Sequence, residues 1–130
     1  MIKNFRVPIQ KYVIEIPTGV MDKKDVSPEV TARRELMEET GYTVDTLIPF
    51  PSSPHTPGSS NNLFTPFIGL GATKVSDQAG DVTEDIEIME VTVEEMMELY
   101  LRPQTDTLFN IRTLALYFLA VQQGVVPDFK

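Results

Sequence analysis

Glu35, Glu38 and Glu39 fall within one short stretch, Ala32-Arg33-Arg34-Glu35-Leu36-Met37-Glu38-Glu39-Thr40-Gly41-Tyr42. On a helix of 3.6 residues per turn, Glu35 and Glu39 lie one turn apart and Glu38 on the neighbouring row, so all three share roughly a third of the circumference. Carboxylate oxygens gathered in this way suit Mg²⁺, which keeps several waters and completes its shell with substrate phosphate; Mn²⁺ is the alternative ion. Arg34 sits one turn before Glu38 and can hold a carboxylate there by charge-assisted hydrogen bonding. Most glutamate clusters on helices are solvated faces. Like charges one turn apart repel by roughly a few tenths of a kcal/mol per pair, so this cluster costs stability unless a cation offsets it. His55, the single histidine, lies among prolines without companion ligands and reads as structural or solvent-facing.

The helix that must carry these groups is well signalled. Ser27 is a good N-cap, Pro28 suits the first helical position, Glu29 favours the positive end, and Gly41 can take the left-handed exit, which predicts a helix from Pro28 to about Glu39. Before it, Lys11 to Pro17 alternates with Tyr12, Ile14 and Ile16 on one face, a strand ending at the Pro17-Thr18-Gly19 turn. After it come a strand over Thr43 to Pro49, a loop over Phe50 to Asn62, and a strand over Leu63 to Ala72 in which Pro66 implies an edge or bulge. Lys74 to Asp85 is loop-like, and Ile86 to Val93 is a strand. Thr92 with Glu95 forms a capping box opening a helix to about Arg102, and Thr107 to Gln123 is a helix apolar around most of its circumference. Met89, Met96 and Met97 read as packing residues. Strands mixed with three helices make an α/β protein.

Composition narrows the classes without choosing among them. The 130 residues, 42% hydrophobic, fit one domain over 1–130 and contain no run long enough to span a bilayer. The absence of cysteine, and of an apolar leader at the N-terminus, leads us to expect a cytoplasmic protein without disulfides. A formal charge of −8 argues against a nucleic-acid polymer as partner, but not against a small phosphate ester delivered with a cation.

From Gly19 to Tyr42 the chain resembles the Nudix hydrolase signature, G-x5-E-x7-R-E-U-x-E-E-x-G-U with U aliphatic. The second half is reproduced as Arg34-Glu35-Leu36-Met37-Glu38-Glu39-Thr40-Gly41, with Tyr42 at the last aliphatic position. The first half departs: the loop is one residue longer, and the position before Ser27-Pro28, usually Glu, is Val26, with Asp25 the nearest acid. In the family that first Glu is mostly a structural partner. Further stretches resemble the ADP-ribose pyrophosphatase subfamily: Phe5-Arg6-Val7-Pro8, Tyr12 to Gly19, the Ser53 to Asn61 loop, the acidic Thr83-Glu84-Asp85-Ile86-Glu87, and the tail Val125-Val126-Pro127-Asp128-Phe129.

The resemblance implies an α/β/α sandwich with a mixed sheet, and Mg²⁺-dependent hydrolysis of a nucleoside diphosphate linked to another moiety, with ADP-ribose first and sugar nucleotides such as GDP-mannose next. It implies metal ligation by Glu35, Glu38, Glu39 and a backbone carbonyl near Thr18 or Gly19, with Arg34 in support. It also implies a base at Glu84, phosphate binding by Arg6, and substrate contacts at Val20, Gly58 and Ser59. Arg33 reads as an exposed helix arginine, and Asn62, standing where many relatives have Glu, removes any base role there. Relatives carry strands ahead of the Phe5-Arg6 position that this chain lacks, and a sheet edge bared in this way would be covered by a second copy, which predicts a homodimer. Two other readings stay open. One is a Nudix-like nucleotide-binding module without turnover; the other is a structural domain with an acidic helix, which added cation would not stabilise.

Overall fold

The computed structural model describes residues 1–78 and 85–127. In chain order its elements begin with β1 (Ile2–Arg6), β2 (Lys11–Glu15), α1 (Pro28–Thr40), β3 (Tyr42–Thr43), β4 (Thr46–Pro49), β5 (Ser53–Pro54) and β6 (Leu63–Phe64). They continue with β7 (Phe67–Leu70), β8 (Thr73–Lys74), β9 (Ile86–Ile88), α2 (Val93–Leu101), β10 (Thr107–Phe109) and α3 (Ile111–Gln122). The chain divides into two compact units, Met1–Pro17 with Ala79–Lys130, and Thr18–Gln78. The class is α/β, as the alternation of elements implied.

The first unit is built on a four-stranded sheet in the order β10-β2-β1-β9. β1 runs antiparallel to β2, with Ile2 opposite Glu15 and Arg6 opposite Lys11, and antiparallel to β9, while β10 runs parallel to β2. The sheet is therefore mixed. Val13 and Ile14 are adjacent on β2 and both buried, so both faces of that strand are covered. Glu15 shares the face of Val13 and is buried with it. The capping box is in place: Thr92 Oγ1 accepts from Glu95 N (3.2 Å) and Glu95 Oε2 from Thr92 N (2.7 Å). α2 buries Met96, and α3 buries Leu114, Leu116 and Ala120.

Two elements of this unit differ from the sequence expectation. Ile2–Arg6 is itself a strand with β2 on one side and β9 on the other, so β1 is not an edge of this sheet. The segment Thr107 to Phe109, expected to open the last helix, is a strand beside β2. Asn110 is the reason: its side chain accepts the Arg112 N–H (3.1 Å), making it the N-cap and starting α3 at Ile111.

In the second unit α1 follows its signals closely. Ser27 is extended (φ −159°, ψ 160°) and its side chain accepts from Val30 N, and Gly41 exits left-handed at φ 72° with its N–H on Met37 O at 2.8 Å. Three two-stranded antiparallel ladders complete the unit, β3 with β8, β4 with β7 and β5 with β6. The strands expected over 43–49 and 63–72 are each broken in two. Asp45 N turns to Leu70 O (3.0 Å), and Pro66, which has no N–H to give a ladder, splits the second strand while its carbonyl accepts Phe50 N (2.9 Å). Among the described residues no helix is long and apolar enough to cross a membrane.

Candidate active site

The centre of the site is the guanidinium of Arg34. On one edge, Nε and Nη2 donate to Asp25 Oδ1 (3.4 Å) and Oδ2 (2.9 Å), and Nη2 also reaches the Val20 carbonyl (3.3 Å). On the other, Nη1 lies 2.8 Å from Glu35 Oε1 and 3.0 Å from Glu38 Oε2. One arginine on α1 therefore ties the loop after Gly19 to two of the three clustered carboxylates. The helix spacing brings this about, since Glu38 is one turn beyond Arg34 and Glu35 is its neighbour.

Asp25 is held more fully than any other acid of the loop. Its Oδ2 also accepts Thr31 Oγ1 (3.0 Å) and Asp22 N (2.8 Å), and its side chain is only 4% exposed. The hydrogen bond from Arg34, followed by that from the Asp22 N–H, holds its carboxyl well below the usual carboxylate range; burial opposes this and Thr31 adds to it. Asp25 in turn raises the pKa of Arg34. A carboxyl with a depressed folded pKa stabilises the fold at pH values above its unfolded pKa of about 4, and that contribution fades as the pH falls towards the folded value. Thermal midpoints are accordingly expected to drop on acidification below about pH 4. The Asp25→Asn variant should show a shallower drop over the same range, and equal slopes would refute the assignment.

Gly19 packs directly against Glu35. A Cβ at Gly19 would sit 1.9 Å from Glu35 Cδ and 2.0 Å from its Oε1, so only glycine leaves room for that carboxylate. The side chains grade in exposure along the cluster, 17% for Glu35 and 47% for Glu38, while Glu39 is buried at 7%. The backbone carbonyl of Glu39 accepts Gln78 Nε2 (2.8 Å).

Among the described residues, no three acidic or histidine side chains converge closely enough to hold a metal ion. Glu35 and Glu38 are turned to Nη1 of Arg34. The donor set nevertheless fits a hard divalent cation, because its members are carboxylates on one helix arc and one of them occupies a cradle that a Cβ would fill.

The remaining predicted residues fall out as follows. Thr18 is half-buried and Val20 is exposed, with the Val20 carbonyl on Arg34. Gly58 and Ser59 lie in an exposed turn whose hydrogen bonds close on Thr56, and Gly58 has open space around it. Arg33 is half-exposed; it pairs with Glu29 at 3.2 Å and donates to the Val44 carbonyl at 2.8 Å. The His55 ring lies beside Phe64. Glu84 lies outside the described residues, as do Thr83, Asp128 and Phe129. Its neighbour Asp85 accepts the Tyr12 hydroxyl at 2.8 Å, and this hydrogen bond, with the charge behind it, raises the pKa of the phenol.

Within the first unit, Arg6 ends β1 and is gripped by buried Glu15, which takes both Nε (2.7 Å) and Nη2. The other oxygen of Glu15 accepts Asn110 Nδ2 (3.4 Å). The sequence reading passed over Glu15. The available signal was that Glu15 shares the apolar face of Val13 on β2, where an unpartnered carboxylate would be costly.

The described residues hold a mixed sheet and three helices, one of which carries a carboxylate cluster over a glycine cradle, and the class is α/β. The chain belongs to the NUDIX domain family, whose model matches residues 1–113. It is 37% identical over 100 residues to the ADP-ribose pyrophosphatase of Bacillus subtilis (strain 168), across 76% of this chain and 54% of that protein. It is 30% identical over 127 residues to the methanol dehydrogenase activator of Bacillus methanolicus, across 96% of this chain and 66% of that protein. The ADP-sugar pyrophosphatase of Mus musculus matches at 41% over 61 residues, 47% of this chain and 28% of that protein. The chain thus spans between a quarter and two thirds of the length of these curated relatives. A solved structure described as "Crystal structure of ADP compounds hydrolase" superposes with a TM-score of 0.75 at 21% identity, covering 96% of this chain and 67% of that one, and so shares the fold.

Proposed function

We propose that the chain is a Nudix-type pyrophosphohydrolase that cuts the diphosphate of a nucleoside diphosphate linked to a sugar, ADP-ribose first, releasing AMP and ribose 5-phosphate. The observation that carries this is the acidic arc of α1, where Arg34 holds Glu35 and Glu38 together and Gly19 makes room for Glu35. The names of relatives support the substrate class, since they include pyrophosphatases of ADP-ribose, ADP-sugar and GDP-mannose.

Glu35, Glu38 and Glu39 would hold Mg²⁺, or Mn²⁺, with a backbone carbonyl at Thr18 or Gly19. A bound cation supplies positive charge against the diphosphate oxygens and makes water more acidic. The chain's own part is to orient and neutralise. Arg34 restrains the carboxylates, Arg6 presents a guanidinium already oriented by Glu15 for phosphate, and Val20, Gly58 and Ser59 are the further substrate contacts in this reading. Glu84 would take the proton from the attacking water. We read residues 1–130 as a single domain because the family match runs through both compact units. In this reading the protein works in the cytoplasm as a homodimer; the exposed apolar residues Ile111, Phe118 and Leu119 of α3 support association.

The test is phosphate release, coupled to a phosphatase, across ADP-ribose, sugar nucleotides and dinucleotides with Mg²⁺ and with Mn²⁺. Metal-dependent turnover is expected, fastest on ADP-ribose. Ligand binding without turnover on any member would instead make the chain a nucleotide-binding module. Light scattering is expected to give twice the chain mass, and a stable monomer would remove the dimer.

A further inference from the structure

Resting on the reading of Arg6 as a phosphate contact, we infer that Asn110 is a positioning residue that aims the Arg6 guanidinium, acting through the buried carboxylate of Glu15. The register of the sheet brings them together: β10 runs parallel to β2 with Phe109 opposite Ile14, so Asn110 leaves the strand beside Glu15. Its backbone N–H donates to the Ile14 carbonyl (2.8 Å), which fixes the point of departure. The side chain then serves two neighbours. Oδ1 accepts Arg112 N (3.1 Å) and Arg112 Nε (3.3 Å), so Nδ2 is the end that faces Glu15 Oε2, at 3.4 Å.

Capping α3 does not by itself require asparagine, since serine or aspartate accepts the Arg112 N–H equally well. What neither supplies is the second, donating end of the amide. Glu15 is buried and its Oε1 is taken by Arg6 Nε (2.7 Å) and Nη2, while Asn110 serves Oε2. A buried carboxylate oxygen left without a donor is costly, so without the amide Glu15 is driven to rotate towards its remaining partner, Arg6. The guanidinium would then turn with it. With Oε2 held, the plane of the carboxylate is fixed and Oε1 alone meets Arg6, whose side chain is still 39% exposed. A guanidinium has five N–H groups, so others remain for a phosphate, and two-point binding demands that the fork keep its direction.

The test is calorimetric binding, with Mg²⁺ present, of an ADP-ribose analogue whose bridging diphosphate oxygen is replaced by CH₂, so that binding is read without turnover. Asn110→Ser keeps the cap and adds no charge; it is expected to weaken binding by about 10-fold, the lower end of what a hydrogen bond to a charged group is worth. Its thermal midpoint should stay close to that of the parent. In an Arg6→Gln background the same change should have no further effect. A loss of equal size in both backgrounds means that Asn110 acts through α3 and not through Arg6, and overturns the inference, as does wild-type affinity in Asn110→Ser. Asn110→Asp, which also caps but sets a carboxylate against Glu15, should bind no better than Asn110→Ser; wild-type affinity there overturns it too. Should these variants fail to fold, the wild-type Asn110 Nδ2 protons decide. They should exchange slowly with solvent, and exchange at the rate of an exposed amide means that the contact does not hold. If Arg6→Gln binds the analogue as the wild type does, or the wild type does not bind it, the phosphate reading of Arg6 falls and this inference with it. A weakened Arg6→Gln beside an unaffected Asn110→Ser ends this inference alone.

Discussion

Glu39→Gln is expected to lower turnover by more than about 100-fold while leaving the metal-free protein as stable as the parent. Supporting groups around a bound metal are typically worth about 10–100-fold, and in the proposed site Glu39 is itself a ligand. Glutamine keeps the length of the side chain and a similar helix propensity, so α1 loses a charge and little else. Glu39 is also buried, and on a helix that carries two further glutamates at neighbouring positions, removing one like charge relieves repulsion. The variant should therefore separate function from folding cleanly. kcat from the coupled phosphate assay, set beside the thermal midpoint with and without Mg²⁺, checks both halves. The wild-type midpoint should rise with Mg²⁺ because the ion binds the native state, and in Glu39→Gln that rise should shrink. Turnover within a few-fold of wild type would remove Glu39 from the ligand set. Glu38→Gln, measured in parallel, should behave alike.

Gly19→Ala should lose activity on the order of 100-fold, since displacing a functional group by about 1 Å can cost that much. The reason is steric. Gly19 is not among the described glycines with positive φ, which are Gly41, Gly71 and Gly124, so alanine meets no backbone strain at that position. The obstacle is Glu35, whose Cγ, Cδ and Oε1 lie 2.3, 1.9 and 2.0 Å from the new methyl. A long side chain can swing away at little cost in stability, but here the side chain that swings is the proposed ligand. Near-normal thermal stability with weakened Mn²⁺ affinity and slowed turnover is the expected combination. Normal turnover would show that Glu35 works from a position other than the one the glycine cradles.

The helices α1 and α2 were legible because their cues are local. Ser27, Pro28 and Gly41 bounded α1 within one residue, and Thr92 with Glu95 marked the start of α2, since caps are made by residues three or four apart. The acidic arc followed from helix geometry alone. The breaks at Asp45 and Pro66 were harder, although Pro66 flagged its own strand as interrupted. Where pairing runs between distant segments, local cues failed. Thr107 to Phe109 carries the apolar character of the helix it precedes, and only its place beside β2 makes it a strand.

The amino-acid sequence by itself determined the Nudix signature, the α/β class, and the helix that lines up Glu35, Glu38 and Glu39, because each is read along continuous stretches of chain, the acidic arc over less than about two helical turns. The tertiary structure alone decided which acid anchors Arg34, that Glu15 grips Arg6, and that Gly19 is the cradle of Glu35. Those contacts join residues 9 to 16 positions apart, across a loop or between neighbouring strands. Chain direction on leaving a turn, which no local pattern records, sets whether Asp25 or Val26 faces inwards. With one residue of extra loop, counting from Gly19 points to Asp25 and counting back from Arg34 points to Val26, and the fold turns Asp25 to Arg34.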